Sequence, residues 1–261
     1  MKTSRDEFGD RMKLYESIRV SPTFFPFVPV VARLDGRSFS KYTKGMQKPH
    51  DEGMTSVMHH VTRALVRETH ARIAYTQSDE ITLMWMTDEP QQSVFFNGKD
   101  QKMVSVLAGL ASSAFSYHSN AEWGMKRAPY PHFDCRVWQV PNKVEAANVF
   151  LWRAIDARKN AVQGACQAVF SQQTLNGVNH AKQLEMLTDY GIEFFGEYPA
   201  SYRNGTFFNR TNMLKNIQFV DGSMRVMRAE IRDMEMPYFR RVTNRVEVIF
   251  DGKSPRVDRE E

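Results

Sequence analysis

Two aspartates stand where the chain pattern would bring them together. Asp35 closes the apolar, β-branched run 28–34 and is followed at once by Gly36. Asp79 lies in the polar tip Gln77-Ser78-Asp79-Glu80, which separates two short apolar runs in the manner of a hairpin. If the first run pairs beside this hairpin, Asp35 and Asp79 meet at one edge of a sheet. Two carboxylates and the Gly36 carbonyl are hard oxygen donors. They suit Mg²⁺, and two such ions better than one. A metal pair of that kind serves attack by a hydroxyl on the phosphorus of a nucleoside triphosphate, the chemistry of cyclases and polymerases. Each aspartate alone says little, since Asp-Gly is often only a turn. The conjunction with a basic loop and a basic helix start carries the reading.

Positioning these groups takes a strand, a helix and a hairpin in that order. Residues 8–18 carry Phe8, Met12, Leu14, Tyr15 and Ile18 as the apolar members of an amphipathic helix, which Ser21-Pro22 and Phe25-Pro26 then break. Pro29 puts the start of the first strand near an edge or bulge. After Asp35 the segment 37–49 carries Lys41, Lys44 and Lys48 and ends on Pro49. A loop wrapped around a phosphate chain has this make-up, and so does a solvated basic loop. Asp51 is a good N-cap for the next helix, whose apolar stripe is Met54, Val57, Met58, Val61 and Leu65. A second helix, over 101–120, presents Val104, Leu107, Ala108, Ala111 and Phe115. Lys99 and Lys102 stand at its positive end, where they do nothing for the helix and an anion would account for them.

Residues 123–132 form a Pro- and Lys-containing loop, 133–140 read as a fourth strand, and 143–173 as a long helix. The order βαββαβ predicts an α+β fold of the ferredoxin-like, split-βαβ kind, an antiparallel sheet with helices on one face and with strands one and three adjacent. A short helix over 179–190 follows. Strand candidates then lie at 206–209, 225–228 and 245–250, among Arg225, Arg228, Arg232, Arg240, Arg241 and Arg245. The expected division is a catalytic unit, 1–208, and a small C-terminal β appendage, 209–261.

The chain of 261 residues can bury a sizeable core, and its 42% apolar and 25% charged residues are ordinary globular values. A formal net charge of +5 agrees with a nucleic-acid or nucleotide partner without requiring one. The two cysteines, Cys135 and Cys166, lack metal-ligand spacing and fit a reduced cytoplasmic compartment. Neither a signal peptide nor an apolar run of the roughly 20 residues a membrane helix needs is present.

Six segments make a larger pattern: Arg33-Leu34-Asp35-Gly36-Arg37-Ser38-Phe39, Lys48-Pro49-His50-Asp51, Gln77-Ser78-Asp79-Glu80, Phe133-Asp134-Cys135-Arg136, Leu151-Trp152-Arg153 and Tyr202-Arg203-Asn204-Gly205. Together they resemble, in order and spacing over about residues 28–208, the motifs of the tRNA(His) guanylyltransferase family. The resemblance implies a polymerase-palm fold, 3′–5′ addition of nucleotides to the 5′ end of tRNA, prior activation of that end with ATP or GTP, and a homotetramer or dimer of dimers. It assigns two Mg²⁺ ions to Asp35, the Gly36 carbonyl and Asp79, with Ser78 and Glu80 beside them in the catalytic motif. Arg33, Asp35, Gly36, Arg37, Ser38, Phe39, Ser40, Ser78 and Asp79 would line the nucleotide site, Lys48 and Asp51 would sit near the activating nucleotide, and Lys99 and Lys102 would meet a triphosphate. Arg136, Arg153, Asn160 and Arg203 are the RNA-binding candidates.

The chain departs from the eukaryotic members in one place. After Leu151-Trp152-Arg153 they carry a His-Ile-Asn-Asn block, where this chain has Arg158-Lys159-Asn160-Ala161, and position 40 is Ser where many relatives have His. The departure points to the guanylyltransferase-like branch of bacteria, archaea and phages, whose members resemble template-dependent repair polymerases for truncated tRNA 5′ ends. GTP is the favoured nucleotide. Two other readings share the pattern: a nucleotide cyclase on the same palm, which needs no RNA, and a non-catalytic RNA-binding module, which releases no pyrophosphate.

Overall fold

The structure, a computed structural model, describes residues 4–20, 22–89, 92–124, 130–219 and 222–258. Ser21, and residues 125–129 of the expected 123–132 loop, lie outside the described residues. Six strands form one antiparallel sheet: β1 (Val30–Gly36), β2 (Ile73–Gln77), β3 (Glu80–Trp85), β4 (Phe133–Gln139), β5 (Thr206–Phe219) and β6 (Gly222–Met234), in the order β4-β1-β3-β2-β5-β6. The helices are α1 (Ser4–Val20), α2 (Phe39–Tyr42), α3 (Glu52–Thr69), α4 (Asp100–Trp123), α5 (Lys143–Val169), α6 (Gln172–Leu175), α7 (His180–Asp189), α8 (Phe194–Glu197), α9 (Ala200–Asn204) and α10 (Arg245–Asp251).

The expected juxtaposition is present. β1 pairs with β3, so that Asp35 lies opposite Glu80, and β2 and β3 join through the two-residue turn Ser78-Asp79. Local chemistry explains the elements that hold them. Asp51 caps α3 through its carboxylate, which accepts from the Met54 amide at 2.9 Å, and Met54, Val57, Met58, Val61 and Leu65 are all buried. Asn142 caps α5 and Asn179 caps α7 in the same way.

Helices cover both faces of the sheet, which corrects the one-faced expectation. Val30, Ala32, Leu34, Ile81, Leu83 and Trp85 point to α3 and α4. Val31, Ile73, Tyr75, Met84 and Phe207 point to α5, α10 and the short turn Phe239–Arg241. Alternate side chains of a strand face opposite ways, so a run that is apolar at both parities is a strand buried on both sides. The second half of α5, with α7 and α8, forms a third apolar cluster around Val162, Cys166, Leu187 and Phe194.

Two further expectations change. The segment 245–250, expected as a strand, is helix α10. Val248, Ile249 and Phe250 are consecutive and all buried, which a strand cannot achieve on one face but a helix end lodged against α5 can. The C-terminal residues are also not a separate β unit. Residues Thr206–Asn209 of β5 pair with β2, so the hairpin extends the main sheet, and the division at 208/209 falls within β5. Beyond Asn209, β5 pairs with β6 alone, as a two-stranded arm reaching Phe219 and Gly222. On α1, Phe8, Met12, Leu14 and Tyr15 are exposed.

Candidate active site

The C-terminal end of β1 and the hairpin tip are tied by a backbone hydrogen bond from the Gly36 amide to the Asp79 carbonyl, 3.1 Å. Gly36 is required by packing. A Cβ there would lie 2.5 Å from the Phe39 ring, which is buried between Tyr42, Phe115 and Phe133 and anchors the loop that follows. The Arg37 amide donates to the His132 carbonyl, so the loop leaves β1 along the start of β4. Ser38 and Ser78 both take left-handed backbone conformations, with φ of 58° and 54°, at the two bends that flank the carboxylates.

Asp79 is partly buried. Its carboxyl is pushed up to about 6, chiefly by burial and further by the neighbouring Asp35, while its own backbone amide and the Ser78 hydroxyl, donating at 3.1 Å, oppose the rise. Two carboxylates thus face one opening without a cation bonded to either among the described residues, and a divalent ion would relieve both burial and repulsion. No group of three or more His, Cys, Asp or Glu residues is gathered for a metal among the described residues. A set of two carboxylates and one carbonyl is therefore an incomplete protein cage. That fits Mg²⁺, which keeps several waters and shares substrate phosphates.

Glu80 has a different role from its neighbour. Arg153 grips it with two bonds, Nε to Oε1 at 2.6 Å and Nη2 to Oε2 at 2.8 Å, and reaches Asp156 at 2.9 Å. Arg33 approaches the same carboxylate at 3.9 Å. Burial raises the Glu80 pKa, and the Arg153 bonds oppose that rise. Glu80 is the pin that fastens the hairpin to α5.

A cleft of about 570 Å³ opens at this end of the sheet, a size ordinary for small ligands. Asp35, Gly36, Ser38, Phe39, Ser40, Lys48, Asp51, Ser78, Asp79, Glu80, Arg153 and Asn160 all line it. Thr55, Ser201 and Gly164, which no local sequence pattern marks, line it too, as does Gln77 of the hairpin tip. Gly164 has a readable reason: a Cβ there would stand 2.8 Å from the Tyr202 hydroxyl, which donates to the Ala161 carbonyl at 2.7 Å and docks α9 on α5. Asp51 spends both oxygens inside the protein, accepting from the Met54 and Gln47 amides, so it shapes the cleft wall.

Other candidates lie elsewhere. Arg37 is exposed beside β4. Lys99 bridges to Thr23 and Lys102 lies 4.6 Å from the Phe96 ring, at the end of α4 near Trp85 and so at the opposite end of the sheet from Asp35. Arg136 is exposed on β4, 3.8 Å from Asp134. Arg203 donates to the Tyr198 carbonyl, and Arg158 binds the Arg203 carbonyl and the Asn204 side chain, with its guanidinium 4.0 Å from the Tyr238 ring. The residue that stands in the departing block thus holds the Tyr202-Arg203-Asn204-Gly205 turn. Gly205, at φ +71°, leaves room for the Tyr75 ring, whose hydroxyl donates to the Asn204 carbonyl.

The sequence profile described as Thg1, tRNAHis guanylyltransferase, matches residues 9–141. The chain belongs to the Thg1 family. It is an enzyme of that family, a Thg1-like nucleotidyltransferase that acts at the tRNA 5′ end. Its α+β sheet matches a bacterial tRNA(His) guanylyltransferase (Thg1)-like protein in complex with ATP, with a TM-score of 0.72 and 28% identity over 84% of this chain and 91% of that one. A bacterial Thg1-like protein in complex with GTP matches with a TM-score of 0.71 and 26% identity, over 90% and 94%. The tRNA(His) guanylyltransferase of Schizosaccharomyces pombe is 26% identical, over 80% of this chain and 82% of its own. Among the described residues, no helix of this Thg1-family chain is long and apolar enough to cross a membrane.

Proposed function

We propose that this protein extends the 5′ end of tRNA by one nucleotide at a time in the 3′–5′ direction, with GTP favoured, after ATP or GTP has activated the 5′ phosphate. The observation that carries the reading is the approach of Asp35 and Asp79, tied by the Gly36–Asp79 backbone hydrogen bond, on the wall of one cleft. The β4-β1-β3-β2 core has the strand order of a split-βαβ sheet, in keeping with a polymerase palm. Relatives bound to ATP and to GTP support both nucleotides as substrates.

Asp35, the Gly36 carbonyl and Asp79 would hold Mg²⁺, which when bound neutralises the triphosphate and lowers the pKa of an attacking 3′-hydroxyl. The chain's own groups do the rest. Among the described residues no cation is bonded to Asp79, and Asp35 lies beside it, so a cation at the cleft would be held by both carboxylates. Lys48, on the cleft wall, brings positive charge to the phosphate chain and steadies the departing pyrophosphate. Arg153 and Glu80 fix the hairpin so that Asp79 keeps its distance from Asp35. Buried Phe39 holds the loop that forms the floor.

A tRNA lacking its 5′ nucleotide, incubated with Mg²⁺, ATP and labelled GTP, tests this. Growth by one templated nucleotide, lost in Asp79→Ala, is the expected result. RNA binding without growth, or a cyclic nucleotide made without RNA, would overturn it.

A further inference from the structure

Trp152 is half exposed although it adjoins the most buried ion pair of the site. Its ring lies 4.5 Å from the Arg153 guanidinium and 5.5 Å from that of Arg33. Both cations are largely buried and converge on Glu80, while Trp152 itself stays half exposed. Arg33 precedes Asp35 by two residues on the same face of β1, about 7 Å along the strand. Across from Arg33, in register, stands the exposed Arg136 of edge strand β4. Neither Trp152 nor Arg33 lines the cleft, although Glu80 and Arg153 do. A half-exposed ring beside two cations, near the exposed Arg136, which lies 3.8 Å from Asp134, and near the candidate metal carboxylates, suits a nucleobase followed by its phosphate.

We propose that Trp152 is a stacking platform for the 5′-terminal base of the RNA, with Arg136 meeting the adjoining backbone phosphate. This rests on the reading that the protein acts at an RNA 5′ end. The bland alternative is that Trp152 merely roofs Arg33 and Arg153. The nucleobase of the triphosphate is the other possible occupant. The place of Trp152 outside the cleft lining, with Arg136 on the neighbouring edge strand β4, argues for the RNA, because a polymer can run along an open sheet edge.

The test is a cycle between protein and RNA. A 5′-phosphorylated acceptor-stem duplex, with a normal or an abasic 5′-terminal residue, is titrated against wild type, Trp152→Leu and Trp152→Phe with Mg²⁺ and without triphosphate. Stacking predicts that the abasic change weakens wild type by about 5- to 100-fold. Trp152→Leu should lose a similar factor with the normal RNA and nothing more with the abasic one, and Trp152→Phe should stay near wild type. Equal abasic losses in wild type and Trp152→Leu would overturn the platform, as would a rise in the KM for GTP with unchanged RNA affinity. Coupling without any nucleotide addition would instead uphold the platform and refute the proposed reaction. Failure of wild type to bind either duplex would sink both.

Discussion

Replacing Asp79 by Asn should make the metal-free protein more stable while abolishing its chemistry. Burial and Asp35 push the Asp79 carboxyl from its ordinary 3.8 up to about 6. A carboxyl whose pKa is higher folded than unfolded costs nothing below about pH 4. Its cost grows as the pH rises from about 4 to about 6 and is constant above that. The difference corresponds to about 3 kcal/mol at pH 7. Asn carries no charge and keeps an oxygen to accept the Ser78 hydroxyl bond, so most of that cost should vanish. In a chain of this size the gain is on the order of 5–10 °C in Tm. The assay is thermal and urea unfolding of wild type and Asp79→Asn in EDTA between pH 4.5 and 7.5, repeated with millimolar Mg²⁺. The variant should lead at pH 7, and its lead should shrink towards pH 4.5. Mg²⁺ should narrow the gap by stabilising wild type alone. A lead that is absent at pH 7 in EDTA, or that does not change with pH, would refute the reasoning.

Other outcomes follow from the same geometry. Asp35→Ala should lower nucleotide addition by orders of magnitude with little change in the urea midpoint, because Asp35 is partly exposed at a strand end. Glu80→Gln leaves the buried Arg153 without its main partner and should cost about 3 kcal/mol in urea unfolding, with any activity loss following from hairpin misplacement. Gly36→Ala drives a methyl into the Phe39 ring and should cost about 1–3 kcal/mol while raising the KM for nucleotide. Arg158→Ala should loosen the α9 turn, seen as faster amide exchange at Asn204 and Gly205.

Much of the site was legible in the chain. An apolar run ending in Asp-Gly and a four-residue polar tip between two strands are local patterns, and local patterns specify where a strand stops. The Asp51 cap and the α3 stripe are of the same kind, because a helix of period 3.6 announces its buried face. The 245–250 segment was misread for a matching reason. Its β-branched Val246, Val248 and Ile249 suit a strand, and only the packing against α5, about a hundred positions away, made it a helix.

The amino-acid sequence by itself marked Asp35, Gly36 and Asp79 as the candidates for the proposed chemistry, and it set the order of the strands that carry them. Tertiary structure alone decided how neighbouring charges divide their work. Asp79 and Glu80 are adjacent in the chain, yet among the described residues one has no cation bonded to it at the cleft, while the other is locked by Arg153, 73 residues away. It likewise decided that Lys99 and Lys102 stand at the far end of the sheet. Ionic partners and burial depend on which distant elements pack together, and that information is not carried by the spacing of residues along one strand or helix.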